Sequence, residues 1–545
     1  MKKNSFVEGT FIATFSIVFI KFLGAIYVIP FYNIIGESGG ALYSYAYNVY
    51  NLFLNISTAG LPVAMSKIIS EYNSLEMYDA KERSYKIGRN IIFILSMIAF
   101  FILFVFAKEC AYLILGDITG GNTIEDVTLV IRSVSFCLLI IPFLSVSKGY
   151  LQGHKFIAPS STSQVLEQVV RIAVILFGSY LAINILHTKV SIGVAIAVFG
   201  AFVGGLSAFI YVRTKIKKNP DKFPKPIKND SITNKEIRNK IISYAIPLIV
   251  ISIATDIYSL TDMALMLRGL TKTGYDAATS ETITSIISTW GMKICMIINS
   301  VATGLTMSLI PHIVESYVKK DKASVNKTIT QSIGIILVIA LPIATGISFL
   351  SYPVYTIFYG PSTYGKIILR LLIFQSVFAS LHIVISMVLQ GLNKFSAVYK
   401  STITGFVINA ILDIPLMVLF NKIGIYPFYG ATTATLIGYV ISYLIAFKEL
   451  KKELNYRRRT ILEILYLSIA PMASLIVVIL VLNIFMPITS TSRFVLIFDC
   501  LVYGVLAGSA YFVLAYKNKL LYTVFGKEYI DKIINKFRRF DNVKN

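Results

Sequence analysis

The sequence predicts an all-α, polytopic membrane protein of about fourteen transmembrane helices, arranged as two parallel six-helix lobes followed by two C-terminal helices. Three observations predict it. The 545 residues are 56% hydrophobic and only 14% charged, with a mean hydropathy of +0.72, whereas soluble domains carry about 25% charged residues. Apolar stretches long enough to cross roughly 30 Å of hydrocarbon, which takes about 20 residues each, follow one another from Phe11 to Tyr516. Finally, two segments of the first half recur in the second half at nearly the same offset.

Apolar runs between polar breaks place helices near 9–34, 41–70, 87–107, 127–150, 158–184 and 191–213. The first run is too long for a signal peptide and lacks a small-residue cleavage site, so it reads as a retained helix. These six form a lobe over residues 1–214, followed at 215–240 by a basic linker containing KKNPDKFPKPIKND, whose prolines and lysines break any helix. Six more helices fall near 241–266, 282–314, 327–350, 366–392, 397–421 and 425–447, giving a second lobe over 241–448. After the basic segment KELKKELNYRRR, two last helices near 461–486 and 493–516 occupy 449–516. The tail, 517–545, sets Leu521, Phe525, Ile530, Ile533, Ile534 and Phe537 near one helical face, as for a helix lying on the inner leaflet or a short soluble helix. Most of the 51 lysines and arginines fall in alternate loops. That asymmetry marks the cytoplasmic side, puts both termini there and supports an even number of crossings.

The repeat is legible without any other sequence. Residues 55–71 read NISTAGLPVAMSKIISE and residues 299–315 read NSVATGLTMSLIPHIVE, matching at Asn, Gly-Leu and Glu. LeuGlnGly at 151–153, before Phe156, recurs at 389–391, before Lys394 and Phe395. Six helices separate equivalent segments, so both halves run in the same direction through the membrane, as parallel repeats that can rock about a cavity.

Several functions are disfavoured. The net charge of +23 lies in short interhelical loops, where it meets anionic lipid rather than nucleic acid. Cys110, Cys137, Cys295 and Cys500 are far apart, as are His154, His187, His312 and His382; they indicate neither a disulfide framework nor a metal site. Gly360–Lys366, GPSTYGK, has phosphate-loop spacing, but Ile367 replaces the magnesium-binding Ser or Thr and no strand is expected before it, so no nucleotide is expected. No HExxH, GxSxG or paired-cysteine signature occurs. The chain is not expected to be an enzyme, an intramembrane transferase being the remaining form.

Ionisable groups inside helices carry the functional information, because each costs about 2.5–3.5 kcal/mol at a helix centre on insertion scales. Lys21 lies near the middle of the first helix and Lys293 in the eighth. Both could offer positive charge to an anion such as phosphate, or could be lysines paired with carboxylates for packing. Arg132, near the outer end of the fourth helix, is a third candidate cation. Asp256 and Asp262 in the seventh helix are candidates for coupling to a monovalent cation or to the membrane potential; Asp256 could equally pair with Lys21 or Lys293. Asp413 is a further buried acid, and Glu167 and Arg171 are spaced to pair on one helical face. The GAFVG spacing at Gly200–Gly204 allows two helices to approach closely.

IKFLGAIYVIPFYNIIGESGGALYSYAYNVYNLFLNISTAGLPVAMSKIISEY, together with both LeuGlnGly segments, resembles the polysaccharide and peptidoglycan-precursor flippases of the MATE-like MOP superfamily. Over nearly the whole chain the likeness is greatest to MurJ-type lipid II flippases of Gram-positive bacteria and their relatives, the stage V sporulation proteins. The resemblance implies two lobes forming a V around a cationic cavity, a lipid-tail groove at the last two helices, and basic residues in helices 1, 2 and 8 that engage a pyrophosphate. Lys21 matches the first of these and Lys293 falls near the last. Tyr27 and Asn55 stand where Gram-negative members carry arginine, so the phosphate site is expected to be built differently. The implied activity is transfer of an undecaprenyl-pyrophosphate-linked oligosaccharide, foremost lipid II, to the outer leaflet of the bacterial plasma membrane, with no cofactor. Another lipid-linked polysaccharide, a spore-cortex precursor, or a multidrug or cation cargo with an acid-lined cavity are the alternatives.

Overall fold

The structure, a computed structural model, describes residues 12, 15–16, 19–24, 26–58, 60–116, 118, 120–223, 231–319, 321–454, 459–527 and 530–531, without the side chains of 57, 63, 248, 306–312, 314–315, 318 and 459–460. Ile533, Ile534 and Phe537, half of the expected tail face, lie outside the described residues. The chain divides into two compact units, Met1–Ser285 and Ile286–Asn545.

The first unit contains α1 (Val28–Thr58), α2 (Leu61–Ser74), α3 (Tyr78–Val105), α4 (Ala107–Leu115), α5 (Ile124–Ser135), α6 (Ile141–Gly153), α7 (Ile157–Ala173), α8 (Val190–Lys217), α9 (Asn234–Lys272) and α10 (Ala277–Ser285). The second contains α11 (Gly291–Val318), α12 (Lys322–Ile335), α13 (Leu341–Phe349), α14 (Ser351–Tyr359), α15 (Thr363–Gly391), α16 (Phe395–Lys422), α17 (Pro427–Leu454), α18 (Arg459–Phe485), α19 (Arg493–Lys517) and α20 (Leu520–Phe525).

Among the described residues, 13 helical stretches are long and apolar enough to cross a membrane. The first, Phe19–Ile56, is two helices joined at Gly36, whose φ of 65° and ψ of −171° are not helical. That break brings the apolar helical segments to fourteen, at bounds close to those read from hydropathy. A second break falls where one helix was expected over 41–70: Gly60 adopts φ 76°, ending α1 and starting α2 on Leu61-Pro62. Its counterpart in the repeat, Gly304, stays inside α11. The repeated sequence is therefore helical throughout in the second unit and bent in the first.

The LeuGlnGly repeat folds the same way in both units. Phe156 N–H donates to Leu151 O at 2.9 Å and Lys394 N–H to Leu389 O at 2.8 Å. Lys155 (φ 64°) and Asn393 (φ 58°) occupy equivalent left-handed positions in these helix-ending turns.

In the first unit, Leu61, Met65, Ile68, Ile69, Leu144, Leu151, Phe156, Val212, Ile237 and Ile241 belong to one buried cluster. Phe223, from the linker, enters it between Tyr150, at a ring distance of 5.4 Å, and Phe156, at 5.5 Å. The linker is thus held to the bundle, and Thr233 with Glu236 forms the capping box that starts α9. α9, the first helix of the second lobe expected over 241–448, falls within the compact unit Met1–Ser285. Lys240 pairs with Glu71 at 2.6 Å, Asn55 Nδ2 donates to Asp256 Oδ2 at 2.7 Å, and Ser259 Oγ donates to Asn48 Oδ1 at 3.2 Å. Polar ties of this kind hold a helix that hydropathy alone cannot assign to either half.

In the second unit α16 and α17 pack at glycines: a Cβ on Gly405 would run into Ser442 Oγ, and one on Gly430 would meet the Leu416 backbone at 2.5 Å. Phe485, Phe494 and Phe498 on α18 and α19 are 79%, 87% and 62% exposed, as suits helices long and apolar enough to cross a membrane. Leu520 and Val524 of α20 are buried, Val524 beside Gly334, so this turn of the tail packs on the bundle. Gly360 (φ 85°) simply joins α14 to α15. Ser362 Oγ there accepts from Gly365 N–H at 3.2 Å, making GPSTYGK a helix cap rather than a phosphate loop.

Candidate functional site

Lys21 lies in helical backbone one turn and a half before Tyr27, and its side chain is exposed. Tyr27, by contrast, is buried and its hydroxyl is hydrogen-bonded with Tyr43. Next to it stands a cation whose spacing in the sequence suggested a pair with Glu167. Arg171, half-buried on α7, has Tyr27, Tyr43, Tyr47 and Tyr50 within electrostatic reach of its guanidinium. Its expected partner is engaged elsewhere: Glu167 pairs with Lys148 at 3.4 Å, and among the described residues no carboxylate pairs with Arg171.

The backbone under Arg171 is tightly fixed. A Cβ on Gly204 would lie 2.5 Å from Glu167 O and 3.1 Å from Arg171 Cβ, and one on Gly200 would lie 3.2 Å from Arg171 O. The GAFVG spacing therefore does bring two helices together, α8 against α7, at the backbone of Arg171. A cation with tyrosines within electrostatic reach, and no carboxylate paired to it among the described residues, keeps its positive charge available to an incoming anion. The signal in the sequence was the tyrosine series 43, 47 and 50, roughly one helical turn apart.

The other candidates separate. Asn55 and Asp256 meet directly, joining α1 to α9, with Asn48 and Ser259 one or two turns away. Asp256 is half-buried, as is Asp262. Arg132 is exposed; its Nε donates to Phe104 O at 3.3 Å and its guanidinium lies 5.6 Å from the Phe104 ring. It is thus bound to α3 rather than to any other candidate residue.

In the second unit, Lys293 Nζ stands 4.3 Å over the ring of Trp290. The chain winds as a π-helix over Ile286–Trp290, and Tyr359 Oη donates to Trp290 O at 2.8 Å. Such bulges recur at functional sites; here one turns a fully buried indole under a lysine. Asp413, on α16, is completely buried. Among the described residues no group of three His, Cys, Asp or Glu side chains is placed to hold a metal.

Cations at membrane depth and, among the described residues, fourteen apolar helical segments define a polytopic membrane protein. The profile of the family described as "Polysaccharide biosynthesis protein" matches residues 6–317, and the MatE profile matches residues 287–414. The chain is 33% identical over 488 residues to "Lipid II flippase MurJ" of Bacillus subtilis, covering 87% of this chain and 88% of that protein. It is also 31% identical over 175 residues to "Stage V sporulation protein B" of the same organism, 32% of each chain. Among solved structures, "Lipid II flippase MurJ, inward closed conformation" superposes with a TM-score of 0.63 at 14% identity, over 94% of this chain and 99% of that one. An inward-facing multidrug-resistance MATE transporter gives 0.61 at 16% identity, over 79% and 98%. The chain belongs to the MurJ-like branch of the MOP superfamily.

Proposed function

We propose that this chain is a flippase that carries an undecaprenyl-pyrophosphate-linked cell-wall precursor, lipid II foremost, from the inner to the outer leaflet of the bacterial plasma membrane. The observation that carries the reading is the 33% identity to the Bacillus subtilis lipid II flippase along 87% of the chain. Charge placement supports it. Lys21 and Arg171 offer two cations to a diphosphate, and the four tyrosines around Arg171 offer hydroxyls to its oxygens. Tyr27, standing where arginine is expected in Gram-negative relatives, is compensated by Arg171 beside it. Lys293, on its indole, is the corresponding anion contact of the second unit, and Arg132, committed to α3, is the weakest of the set.

Alternating access moves the headgroup while the polyprenyl tail remains in lipid, so no nucleotide or cofactor enters the cycle. The membrane potential supplies about 2.3 kcal/mol per elementary charge per 100 mV, enough to drive a carrier whose net charge changes by one. Asp256, hydrogen-bonded to Asn55, is the proposed coupling group for a monovalent cation or proton, with Asp262 on the same helix. Both termini are assigned to the cytoplasm. The similarity to a stage V sporulation protein makes a spore-cortex precursor the second cargo.

The test is complementation of a strain depleted of its own lipid II flippase. Wild-type chain restores growth, and Lys21→Ala abolishes rescue at normal protein level. Normal growth of the Lys21→Ala strain overturns the assignment of the diphosphate contact.

A further inference from the structure

At the end of the first unit that carries the lysine-rich linker lies an open groove of about 660 Å³, lined by Ser66, Lys67, Ser70, Glu71, Ser74 and Gln152. That size lies within the usual range for small-molecule sites. Five of its residues fall on one face of α2, at the spacing that aligns side chains along a helix. Gln152 comes from the last turn of α6, which sits directly on α2. A Cβ on Gly149 would be 2.6 Å from Pro62 O, and one on Gly153 would be 2.9 Å from Ser66 O. Two glycines thus bring Gln152 to the serine-lined wall, and its Nε2 is steadied by donation to Ser160 Oγ at 3.0 Å.

The charges of the groove are not balanced. Glu71 accepts from Lys240 Nζ at 2.6 Å, and Lys240 also lies 4.9 Å over the Tyr72 ring. This carboxylate is therefore already neutralised. Lys67 is exposed, its Nζ 4.1 Å over the ring of Tyr244, and among the described residues it makes no ion pair. An aromatic face orients an ammonium without cancelling its charge. What remains is one oriented cation beside three serines and an amide: a surface that recognises a carboxylate carried on a hydroxyl- and amide-rich group.

We propose that this groove receives the sugar–peptide part of the cargo headgroup, with Lys67 as the contact for its carboxylates, apart from the diphosphate contacts at Lys21 and Arg171. This rests on the flippase reading above and names a second point of recognition in it. The groove distinguishes a peptide-bearing precursor from a neutral lipid-linked sugar, which has no carboxylate to offer Lys67.

The test uses the full-length protein in nanodiscs with two soluble probes, a muramoyl-pentapeptide lacking both lipid and phosphate, and inorganic pyrophosphate. Wild-type protein binds both. Lys67→Gln and Ser74→Trp, the second blocking the groove from an exposed position, weaken the muramoyl-pentapeptide at least tenfold and leave pyrophosphate unchanged; Lys67→Arg retains it. Unaltered elution and melting temperature show that the variants remain folded. Converting the peptide carboxylates to amides lowers wild-type affinity to the Lys67→Gln level. The proposal is overturned if the peptide fails to bind wild type, or binds both groove variants as tightly as wild type. It is also overturned if phosphatidylglycerol, rather than the peptide, is what Lys67 retains in the nanodisc. Pyrophosphate binding that survives Lys21→Ala and Arg171→Gln together would instead count against the diphosphate assignment, so the two readings fail separately.

Discussion

At the residue scale, the arrangement turns on cations kept at membrane depth beside aromatic side chains. An ionised group there costs about 2.5–3.5 kcal/mol on insertion scales, and aromatic neighbours return part of that cost while leaving the charge available. Arg171 among four tyrosines and Lys293 over Trp290 are two forms of the same solution. Replacing Arg171 with Gln is expected to lower precursor translocation more than tenfold at unchanged protein level, and Arg171→Lys to restore part of it, since an ammonium lacks the bidentate fork. Lys293 can be read optically, because Trp290 is the only tryptophan. Lys293→Met is expected to raise the intensity of its emission and to abolish any response of that emission to pyrophosphate; an unchanged spectrum would show that the ammonium does not sit on the ring. Hydropathy exposed these charges but not their partners. Spacing alone favoured a Glu167–Arg171 pair, whereas Lys148, on another helix, takes the glutamate.

At the scale of elements, glycines decide where helices bend and where they touch. Gly36 has open space around a would-be Cβ, so Gly36→Ala acts through backbone conformation alone. Its φ and ψ fall in a region nearly closed to other residues, and a loss of about 1–3 kcal/mol is expected, read as a lower melting temperature in detergent. Gly204→Val is different in kind. A side chain driven against Glu167 O must part α8 from α7, costing typically 1–3 kcal/mol as overpacking does, and it displaces Arg171. Transport is expected to fall further than stability, and equal losses of both would deny Arg171 its role. Helix number and approximate bounds were legible because twenty-residue apolar runs have few other uses. The break at Gly60, absent at Gly304, was not, because both lie in the same Gly-Leu motif and only tertiary packing separates them. The π-helical turn at Ile286–Trp290 was likewise invisible to a pattern that counts every helical residue alike.

For the whole molecule, the repeat seen in the sequence and the paired LeuGlnGly turns seen in the structure fit a carrier built by duplication. The compact units nevertheless divide at Ser285 rather than at the basic linker. Asn55–Asp256 and Lys240–Glu71 tie α9 to α1 and α2 through side chains, and hydropathy does not record such ties. Because Asp256 is the proposed coupling group, Asp256→Asn is expected to make precursor export insensitive to collapse of the membrane potential while reducing its rate. One elementary charge at 100 mV is worth about 2.3 kcal/mol, roughly fiftyfold in an equilibrium, so the effect is large enough to measure. The most direct test of the central claim is the amount of lipid II reachable by an impermeant probe on cells depleted of their own flippase. Cells carrying this chain are expected to expose lipid II at normal levels, and cells carrying Lys21→Ala to retain it inside. Lipid II that stays inside with the wild-type chain, or appears outside equally with the Lys21→Ala chain, would contradict the account.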